Sequence, residues 1–507
     1  MRKHRNIAVT AATFLLVAGA GILTAPTAHA GVPGSTRAAD RNCDFDGDGH
    51  DDVLVGAPGA TVGGKRGAGL VTVQYGSSRG IGTTRAAVLS QNTAGVPGTA
   101  ETADAFGQAV ATGDLDGDGY DDAIVGVPGE DIGTTVDAGG AVILWGSPQG
   151  LVGTRSQGLD SLLGPTAGAR FGSAFAAARF TAEYPGDQLI VLDSRYAEWH
   201  QYASAPRPGA AARQGRAVRL TPSAARPSPA AADDPPRDIV AKSVTTGDYD
   251  NNGFADLVIS GVSTGGEPGY GWSWYFSGHA DALYLERELR GGPVTASGDI
   301  DADGYDDLVT GEPHSPDDGG ETTTGGMVGV YLGSPAGPAG VEGPGTPPRW
   351  WTQDSPGVPG ASERGDGWGS DLSVADTNGD GHADVAIGAP GEDIGTVADA
   401  GMVTVLRGAR AGLTGTGALW WTQDSASVPG VVERADRFGG QVRLVDPDRD
   451  GRFGMLAAAP GENTDDGHVW VFSAGTGGPT AAGSWTYSAG SLGGPAVDAR
   501  FGAAIDE

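Results

Sequence analysis

Five short loops of this 507-residue chain place aspartate or asparagine at alternate positions. In "DLDGDGYDD", which starts at Asp114, carboxylates stand at positions 1, 3, 5 and 9, and Tyr120 at position 7 can offer its backbone carbonyl. Carboxylates this close repel one another unless a cation lies among them. Ca²⁺ accepts six to eight oxygen ligands in flexible geometry, whereas Mg²⁺ demands a stricter octahedron. The spacing therefore predicts about five calcium sites.

The predicted ligands are the side chains at positions 1, 3, 5 and 9 of each loop and the backbone carbonyl at position 7. They are Asp44, Asp46, Asp48, His50 and Asp52; Asp114, Asp116, Asp118, Tyr120 and Asp122; Asp248, Asp250, Asn252, Phe254 and Asp256; Asp299, Asp301, Asp303, Tyr305 and Asp307; and Asp376, Asn378, Asp380, His382 and Asp384. A further loop starts at Asp446 but has Gly454 in place of the fourth carboxylate, and the corresponding segment at Arg179 has lost the ligands.

These loops have two interpretations other than calcium binding. An EF-hand requires a bidentate glutamate at position 12, where these loops have valine, isoleucine or threonine, so EF-hands are excluded. Plain turns are the second alternative, because Asp, Asn and Gly favour turns without any metal. The repetition of one ligand spacing in five loops favours calcium over plain turns.

The acidic loops fall at one place in an internal repeat. The segment from Trp350 to Gly369 recurs from Trp420 to Gly439, and an aromatic-Gly pair precedes the loops, with Phe106 eight residues before Asp114. Short apolar runs bounded by Gly, Pro and Asp follow each loop, which is typical of strands and turns. Seven such units predict an all-β fold, a seven-bladed β-propeller of four-stranded blades.

The two ends of the chain carry complementary parts of one unit. The chain ends in "FGAAIDE", the first half of a unit, while the unit at Asp44 lacks that half. This predicts a ring closed by the C-terminal FG strand and the N-terminal repeat. The alternative is that the C-terminus is a truncated eighth repeat.

The sequence resembles the FG-GAP repeat family, the seven-bladed propellers of integrin alpha subunits and of many exported bacterial proteins. The resemblance rests on the "FG" pairs, the D-x-D-x-D-G-x-x-D loops and "GAP" at Gly56 to Pro58 and at Gly388 to Pro390, and it covers essentially residues 44–507. It implies that the rim opposite the acidic loops engages ligands. That rim would be negative through Glu130, Asp131, Glu392, Asp393 and Glu462.

The N-terminus predicts export. Residues 1–30 combine basic residues, an apolar run and an "AHA" site, which is typical of a signal peptide, with a membrane anchor as the alternative. Residues 31–43 are then a linker, residues 44–507 the propeller, and the Pro- and Arg-rich segment 204–238 a disordered insertion. The mature chain is expected to be a secreted monomer without a membrane span.

Composition and motifs favour a binding protein over an enzyme. The net charge of −31 argues against nucleic acid and anionic lipid as partners. "GSSRG" at Gly76 matches a nucleophile elbow, but it occupies the place where other units have "GSPQG" and "GSPAG" turns. We therefore expect an extracellular adhesion or binding module for a protein or glycan ligand. The alternative is a polysaccharide-active hydrolase or lyase that uses rim carboxylates.

Repeated tryptophans have two interpretations. Trp350, Trp351, Trp420 and Trp421 stand at the same position of two units. They could be aromatic platforms for a ligand, but packing between blades is the commoner role of a tryptophan repeated in this way.

Overall fold

The structure is a computed structural model, and it describes residues 43–203, 213–220, 226–227, 238–264, 269–314 and 324–506. The predicted signal peptide and most of the predicted linker lie outside the described residues. Across the described part of the chain, no helix has the length and apolar character that crossing a membrane would require. In this part, the short turns are Glu462–Asp465, in which Asn463 and Thr464 have positive φ, and a 3₁₀ turn at Ala489–Leu492.

Strands of the first three sheets come from the N-terminal part of the chain. They are β1 Val53–Ala57, β2 Leu70–Gln74 and β3 Ala86–Leu89; β4 Val110–Gly113, β5 Asp122–Val127, β6 Gly140–Leu144 and β7 Ser156–Leu159; and β8 Phe175–Ala178, β9 Gln188–Leu192, β10 Ala197–Ala203 and β11 Arg213–Leu220. Strand β11 lies inside the segment predicted to be a disordered insertion and pairs with β10. Apart from β11, β12 and Asp238, that insertion lies outside the described residues.

The remaining strands form four further sheets and a small two-stranded ribbon in the fifth unit, except β31, which joins the first sheet. They are β12 Arg226–Pro227, β13 Ile239–Gly247, β14 Asp256–Ser263, β15 Gly271–Gly278 and β16 Leu283–Arg290; β17 Val294–Gly298, β18 Asp307–Glu312, β19 Met327–Tyr331, β20 Ala339–Gly340, β21 Gly343–Pro344 and β22 Arg349–Trp351; β23 Leu372–Ala375, β24 Asp384–Ala389, β25 Met402–Arg407 and β26 Thr414–Trp421; β27 Gln441–Val445, β28 Gly454–Ala459, β29 His468–Gly475 and β30 Gly478–Tyr487; and finally β31 Ala504–Ile505.

The sheets are antiparallel meanders in sequence order, with the first strand of each unit at the centre of the molecule. Sheets β4-β5-β6-β7 and β23-β24-β25-β26 are examples, and the short parallel pair β12–β16 is an addition to the fourth sheet. The first strands contact one another in the order β4, β8, β13, β17, β23, β27 and β31. The chain is thus a seven-bladed β-propeller, as the repeat predicts.

Both chain ends contribute to the first blade. Strand β31 pairs antiparallel with β1, with Ile505 opposite Val55 and Ala504 opposite Gly56. The first sheet therefore reads β3-β2-β1-β31 and receives its central strand from the C-terminus.

The hydrophobic core is divided among the blade boundaries. Each of the seven buried apolar clusters joins residues of two neighbouring blades, such as Leu54 and Val125 between the first and second. A blade alone would leave both faces of its sheet in water, so burial of these faces requires the neighbours.

The "FG" pair supplies both bulk and a close backbone approach at a boundary. Phe106 is fully buried, and its N–H donates to the Ala68 carbonyl of the preceding blade at 3.0 Å. Gly107 adopts a φ of 85°, a conformation that favours glycine. Its N–H donates a hydrogen bond to the Gly126 carbonyl oxygen at 2.9 Å. A Cβ added to Gly56 would lie 2.0 Å from the Gly107 carbonyl oxygen, so side chains are excluded from this contact.

Packing accounts for one tryptophan of each repeated pair. Trp351 and Trp421 are buried at 5% and 8% exposure, which confirms the packing interpretation for them. Trp420 is 51% exposed on an outer strand. The guanidinium of Arg290 lies 5.5 Å from the ring centre of Trp350, in a cation–π contact.

Candidate metal centres

Every acidic loop leads into the second strand of its blade, and in every blade but the first it follows the central strand directly along the chain. Asp114 directly follows β4, and Asp122 is the first residue of β5. Because the strands are antiparallel, these loops share one rim with the turns between third and fourth strands. Ser147 of such a turn donates its N–H to the Phe45 carbonyl at 3.0 Å. We call this side of the propeller the acidic-loop rim.

The carboxylate at position 1 folds the loop around itself. The two oxygens of Asp114 accept the N–H groups of Asp118 and Gly119, each at 3.0 Å. The same pair of hydrogen bonds occurs at Asp44, Asp248, Asp299, Asp376 and Asp446. Gly119 has a φ of 90°, a conformation that glycine adopts without strain. The loop geometry therefore follows from the local sequence.

The carboxylate at position 9 ties three strands together. Asp122 is 1% exposed, and it accepts the Leu115 N–H at 3.0 Å and the Gly146 N–H at 2.9 Å. Asp52, Asp256 and Asp307 make the corresponding two bonds. In the sixth blade, Asp384 instead accepts from the hydroxyl of Thr377 and from Arg407 at 2.7 Å, as well as from the Gly408 N–H at 3.0 Å. This residue stabilises the blade whether or not it also binds a metal.

Four loops bring three carboxylates to one point. In each, one oxygen per side chain lies within 4.8 Å of the others, and the groups are Asp44, Asp46 and Asp48; Asp114, Asp116 and Asp122; Asp299, Asp301 and Asp303; and Asp446, Asp448 and Asp450. The loop at Asp446 thus forms such a group despite Gly454. The loops at Asp248 and Asp376 each contain an asparagine at one of these positions. Position 9 joins such a group only in the second blade, among the described residues.

The electrostatics of these groups favour an added positive charge. Burial, and then the neighbouring carboxylates Asp118 and Asp114, raise the pKa of Asp116 to about 7. Burial likewise raises the pKa of Asp114 to about 6. In the first blade the Arg85 guanidinium contacts the carboxylates of Asp46 and Asp48, with 2.8 Å to Asp48.

The donor set fits a hard divalent cation. Clustered, partly buried carboxylate oxygens are the ligands Ca²⁺ prefers, and Arg85 shows that a cationic group is attracted to this position. Asp44, Asp46 and Asp48 would hold an ion in the first blade, and the corresponding residues would do so in the other blades that keep an acidic loop. A bound ion would neutralise the repulsion and cross-link the loop, which is a structural role.

The segment at Arg179 departs from the other loops as the sequence predicts. The Arg179 guanidinium lies 6.0 Å from the ring centre of Phe254 in the next blade. At this boundary a cation–π contact occupies the position of an acidic loop.

Sequence reasoning missed the aspartate at position 8. Asp121 accepts the Asp44 N–H at 2.8 Å and donates its own N–H to the Asp44 carbonyl at 3.2 Å, so it joins two neighbouring blades. The carboxylates of Asp187, Asp306 and Asp51 likewise accept the N–H groups of Asp114, Asp248 and Asp446. In each pair the acceptor belongs to the blade that follows in the ring. The signal in the sequence is the "DD" dipeptide at Asp51, Asp121 and Asp306, whereas Asp187 is followed by Gln188. We call these contacts the interblade clasps.

Replacing Asp121 with alanine is expected to lower the free energy of unfolding by about 1–3 kcal/mol, the usual cost of a buried donor without an acceptor. The donor is the Asp44 N–H, and Asp121 itself is fully buried. Urea unfolding in saturating Ca²⁺ measures the change, and Glu342→Ala, an exposed acidic residue on the same rim, is the control. Equal effects of the two substitutions would contradict the clasp.

The predicted acidic residues of the opposite rim do not all face solvent. Asp131 and Asp393 accept the N–H groups of Asp137 and Asp399 at 2.8 and 2.9 Å, and so close their own turns. Glu130, Glu392 and Glu462 each accept a hydrogen bond from a buried glutamine. The negative charge of this rim is therefore partly used in internal contacts.

The "GSSRG" segment is a turn. The Ser77 hydroxyl donates to the Gly80 carbonyl at 2.8 Å, and Ser147 and Ser334 make the same bond at 2.7 Å. This confirms the turn interpretation. Cys43 is buried at 1% exposure against Arg443, so its thiol is not available to another chain.

Comparison with known proteins identifies the repeat. The family model for the FG-GAP repeat matches residues 42–73, 106–145 and 368–406. The chain thus contains FG-GAP repeats in at least three of its units. A segment of 109 residues, 22% of the chain, is 33% identical to phosphatidylinositol-glycan-specific phospholipase D of Mus musculus and spans 13% of that protein's length.

Solved structures are similar only at a distance. Rhamnogalacturonan lyase YesW has a TM-score of 0.34 at 12% identity, with 77% of this chain and 63% of that chain covered. Bacillus licheniformis rhamnogalacturonan lyase PL11 has a TM-score of 0.29 at 11% identity, covering 60% and 59%. The PQQ domain of a Coprinopsis cinerea pyranose dehydrogenase scores 0.29 at 12% identity, covering 73% and 91%. Likenesses at this level carry no argument about the site.

Proposed function

We propose that this protein is a secreted, calcium-binding FG-GAP β-propeller that acts as an extracellular binding or adhesion module for a protein or carbohydrate ligand. The 25 loop residues named above are its proposed calcium ligands, and the calcium has a structural role. The rim opposite the acidic loops is the proposed docking surface. The N-terminal basic and apolar pattern supports secretion.

The distribution of exposed apolar side chains is the observation that carries this proposal. Of the eight large apolar residues exposed among the described residues, five lie on the rim opposite the acidic loops: Val136, Leu162, Leu163, Val431 and Val497. All five belong to the connections between second and third strands or between blades. A contiguous exposed apolar patch marks an interaction surface, whereas isolated apolar residues are common on any protein, so those of the five that adjoin one another support the proposal.

The densest part of this surface lies between the second and third blades. Leu162 and Leu163 are 55% and 50% exposed, and Val136 is 56% exposed. The Gly168 N–H donates to the Val136 carbonyl at 2.9 Å, so the hairpin and the interblade segment that carry these residues are joined. We call these three side chains the apolar rim patch.

The hairpins of this rim are held rigidly. Ile132 and Thr135 exchange two backbone hydrogen bonds of 3.1 Å, and the equivalent pairs Val62–Lys65 and Ile394–Val397 do the same. A surface fixed before binding loses less entropy when a ligand docks, which supports a recognition role.

Charged substitutions in the apolar rim patch test the proposal. We expect Leu162→Asp combined with Leu163→Asp to weaken binding to any ligand found by glycan-array and surface-protein screening by about 10-fold or more, because two apolar contacts are lost and two charges are desolvated. Binding is measured by surface plasmon resonance in millimolar Ca²⁺. Val341→Asp is the matched control, since Val341 is 64% exposed in a connection on the acidic-loop rim. If the parent, the Leu162→Asp/Leu163→Asp variant and the Val341→Asp control bind the ligand equally well, the apolar rim patch is not part of the docking surface.

A further inference from the structure

The acidic loop of the first blade already contains a positive charge, which comes from an outer strand of the same blade. Arg85 stands immediately before β3, and its guanidinium contacts the carboxylates of Asp46 and Asp48, with 2.8 Å from Nη1 to Asp48. Together with Asp44, these are the carboxylates that converge within 4.8 Å in this loop. The guanidinium is thus paired with two of the three carboxylates that would hold an ion.

The arginine is held in position but remains accessible to solvent. The side chain of Asp46 is 5% exposed, whereas that of Arg85 is 50% exposed. Arg85 Nη1 also donates to the Gly76 carbonyl at 3.1 Å, and the guanidinium lies 5.3 Å from the ring centre of Tyr75. Arg85 therefore has partners besides the carboxylates, and its side chain can leave the carboxylates without a change in the core.

The second blade shows where such an arginine lies when it is not paired with the loop. The Arg155 carbonyl accepts the Trp145 N–H at 2.9 Å, as the Arg85 carbonyl accepts the Tyr75 N–H at 3.0 Å, so the two arginines are at equivalent positions. Arg155 Nη2 donates to the Gly146 carbonyl at 2.8 Å. Within the described part of the chain, Arg155 makes no ion pair with its acidic loop. The same position thus allows two placements of the guanidinium, on the carboxylates or on the adjacent carbonyl alone.

The fifth blade has an uncharged residue at this position. The Ala339 carbonyl accepts the Leu332 N–H at 3.0 Å, so Ala339 stands where Arg85 does in the first blade. The loop that starts at Asp299 nevertheless brings three carboxylates within 4.8 Å of one another. The loop conformation therefore does not require the arginine, and the effect of Arg85 is on the charge inside its loop.

We propose that Arg85 is a built-in counter-ion of the first acidic loop, which neutralises Asp46 and Asp48 when no Ca²⁺ is bound and releases them when Ca²⁺ binds. This inference rests on the proposed calcium binding by the loop. Ca²⁺ requires the carboxylate oxygens that the guanidinium occupies, so calcium binding has to break the ion pair. The first loop therefore binds Ca²⁺ more weakly than it would without Arg85, and its carboxylates keep a positive partner when calcium is scarce.

Unfolding in two conditions distinguishes this role from a role in packing. Arg85→Met keeps most of the apolar stem of the side chain and removes the charge. In excess chelator, we expect the variant to unfold at a lower temperature than the parent, because the carboxylates of its first loop repel one another without a cation. In saturating Ca²⁺ the two proteins should unfold at the same temperature, since the ion has replaced the arginine. Differential scanning calorimetry of the full chain measures both differences.

Calcium affinity provides the second measurement. We expect Arg85→Met to bind Ca²⁺ in its first loop about 5- to 10-fold more tightly than the parent, because no ion pair between partly exposed groups has to break. Competition with a chromophoric chelator measures the affinities. The binding step that belongs to the first loop is identified as the one that Asp46→Asn weakens.

Arg155→Met is the matched control, because Arg155 has the equivalent position without the ion pair. Its effects in both measurements should be smaller than those of Arg85→Met. Equal effects of the two substitutions overturn the proposal, as does an equal loss of stability by Arg85→Met in chelator and in Ca²⁺, which would indicate packing. An unchanged or lower calcium affinity of Arg85→Met also overturns it.

The same measurements separate failure of this inference from failure of calcium binding itself. If the parent binds no Ca²⁺ and unfolds at the same temperature in chelator, the proposed calcium sites are refuted, and the role of Arg85 falls with them. If the parent binds Ca²⁺ and Arg85→Met binds it equally well, only the role of Arg85 is refuted.

Discussion

Removal of divalent cations will lower the unfolding temperature of this protein more than any single substitution. A site held at 100 times its dissociation constant stabilises the folded state by about 2.7 kcal/mol, so about five sites together give on the order of 10 kcal/mol. The carboxylates of the acidic loops repel one another, and removing the proposed ions would leave this repulsion uncompensated. Differential scanning calorimetry in millimolar Ca²⁺ and in excess chelator measures the difference.

The calcium-dependent rise in unfolding temperature should come from several acidic loops, each contributing a part. Asp116→Asn and Asp301→Asn each weaken one loop that brings three carboxylates together, so each should remove only a part of the calcium-dependent shift. Tyr184→Phe, in the segment of the third blade that has lost the ligands, is the control and should leave the shift unchanged. An equal melting temperature in calcium and chelator would refute structural calcium binding by these loops.

Replacing Arg443 with methionine should destabilise the protein by about 3–5 kcal/mol, the usual cost of leaving a buried charge without its partner. Arg443 is fully buried on β27, and its Nη1 lies 2.5 Å from Oδ1 of Asp506, which is equally buried. Its Nη2 donates to the Cys43 sulfur at 2.6 Å, and Asp506 also accepts the Leu54 N–H at 3.0 Å. Urea unfolding measures the loss.

A surface ion pair provides the matched control for Arg443. Arg66 and Asp498 lie 3.0 Å apart with side chains 78% and 44% exposed, so Arg66→Met should change stability by at most about 1 kcal/mol. The double variant Arg443→Met/Asp506→Leu should recover much of the loss, since no buried charge remains. If the double variant is as unstable as Arg443→Met, the cost lies in packing and not in the unpaired carboxylate.

The Arg443 contacts explain how the two chain ends are held without a disulfide. Cys43 precedes the first acidic loop, Asp506 follows β31, and Arg443 comes from the central strand of the seventh blade. The sequence contains one cysteine. A buried ion pair and the β1–β31 pairing together join both ends to the last blade.

The sequence by itself determined the features that depend on neighbours along the chain. The spacing of Asp114, Asp116 and Asp118 fixes an acidic turn, because Asp114 caps amides only four and five residues away. The apolar runs fix the strands, and their repetition fixes seven four-stranded units. The contacts within each acidic loop span only four or five residues, so a short stretch of sequence is enough to predict them.

Only the tertiary structure decided the contacts between blades. Asp121 and Asp122 are adjacent and chemically identical, yet the first bonds to the preceding blade and the second to its own. Trp420 and Trp421 differ in the same way, one exposed and one buried, because neighbouring residues of a strand face opposite sides of the sheet. The partner of each side chain is set by which blade lies beside it, and Arg443 reaches Asp506 across 63 residues only because the ring brings the chain ends to the last blade.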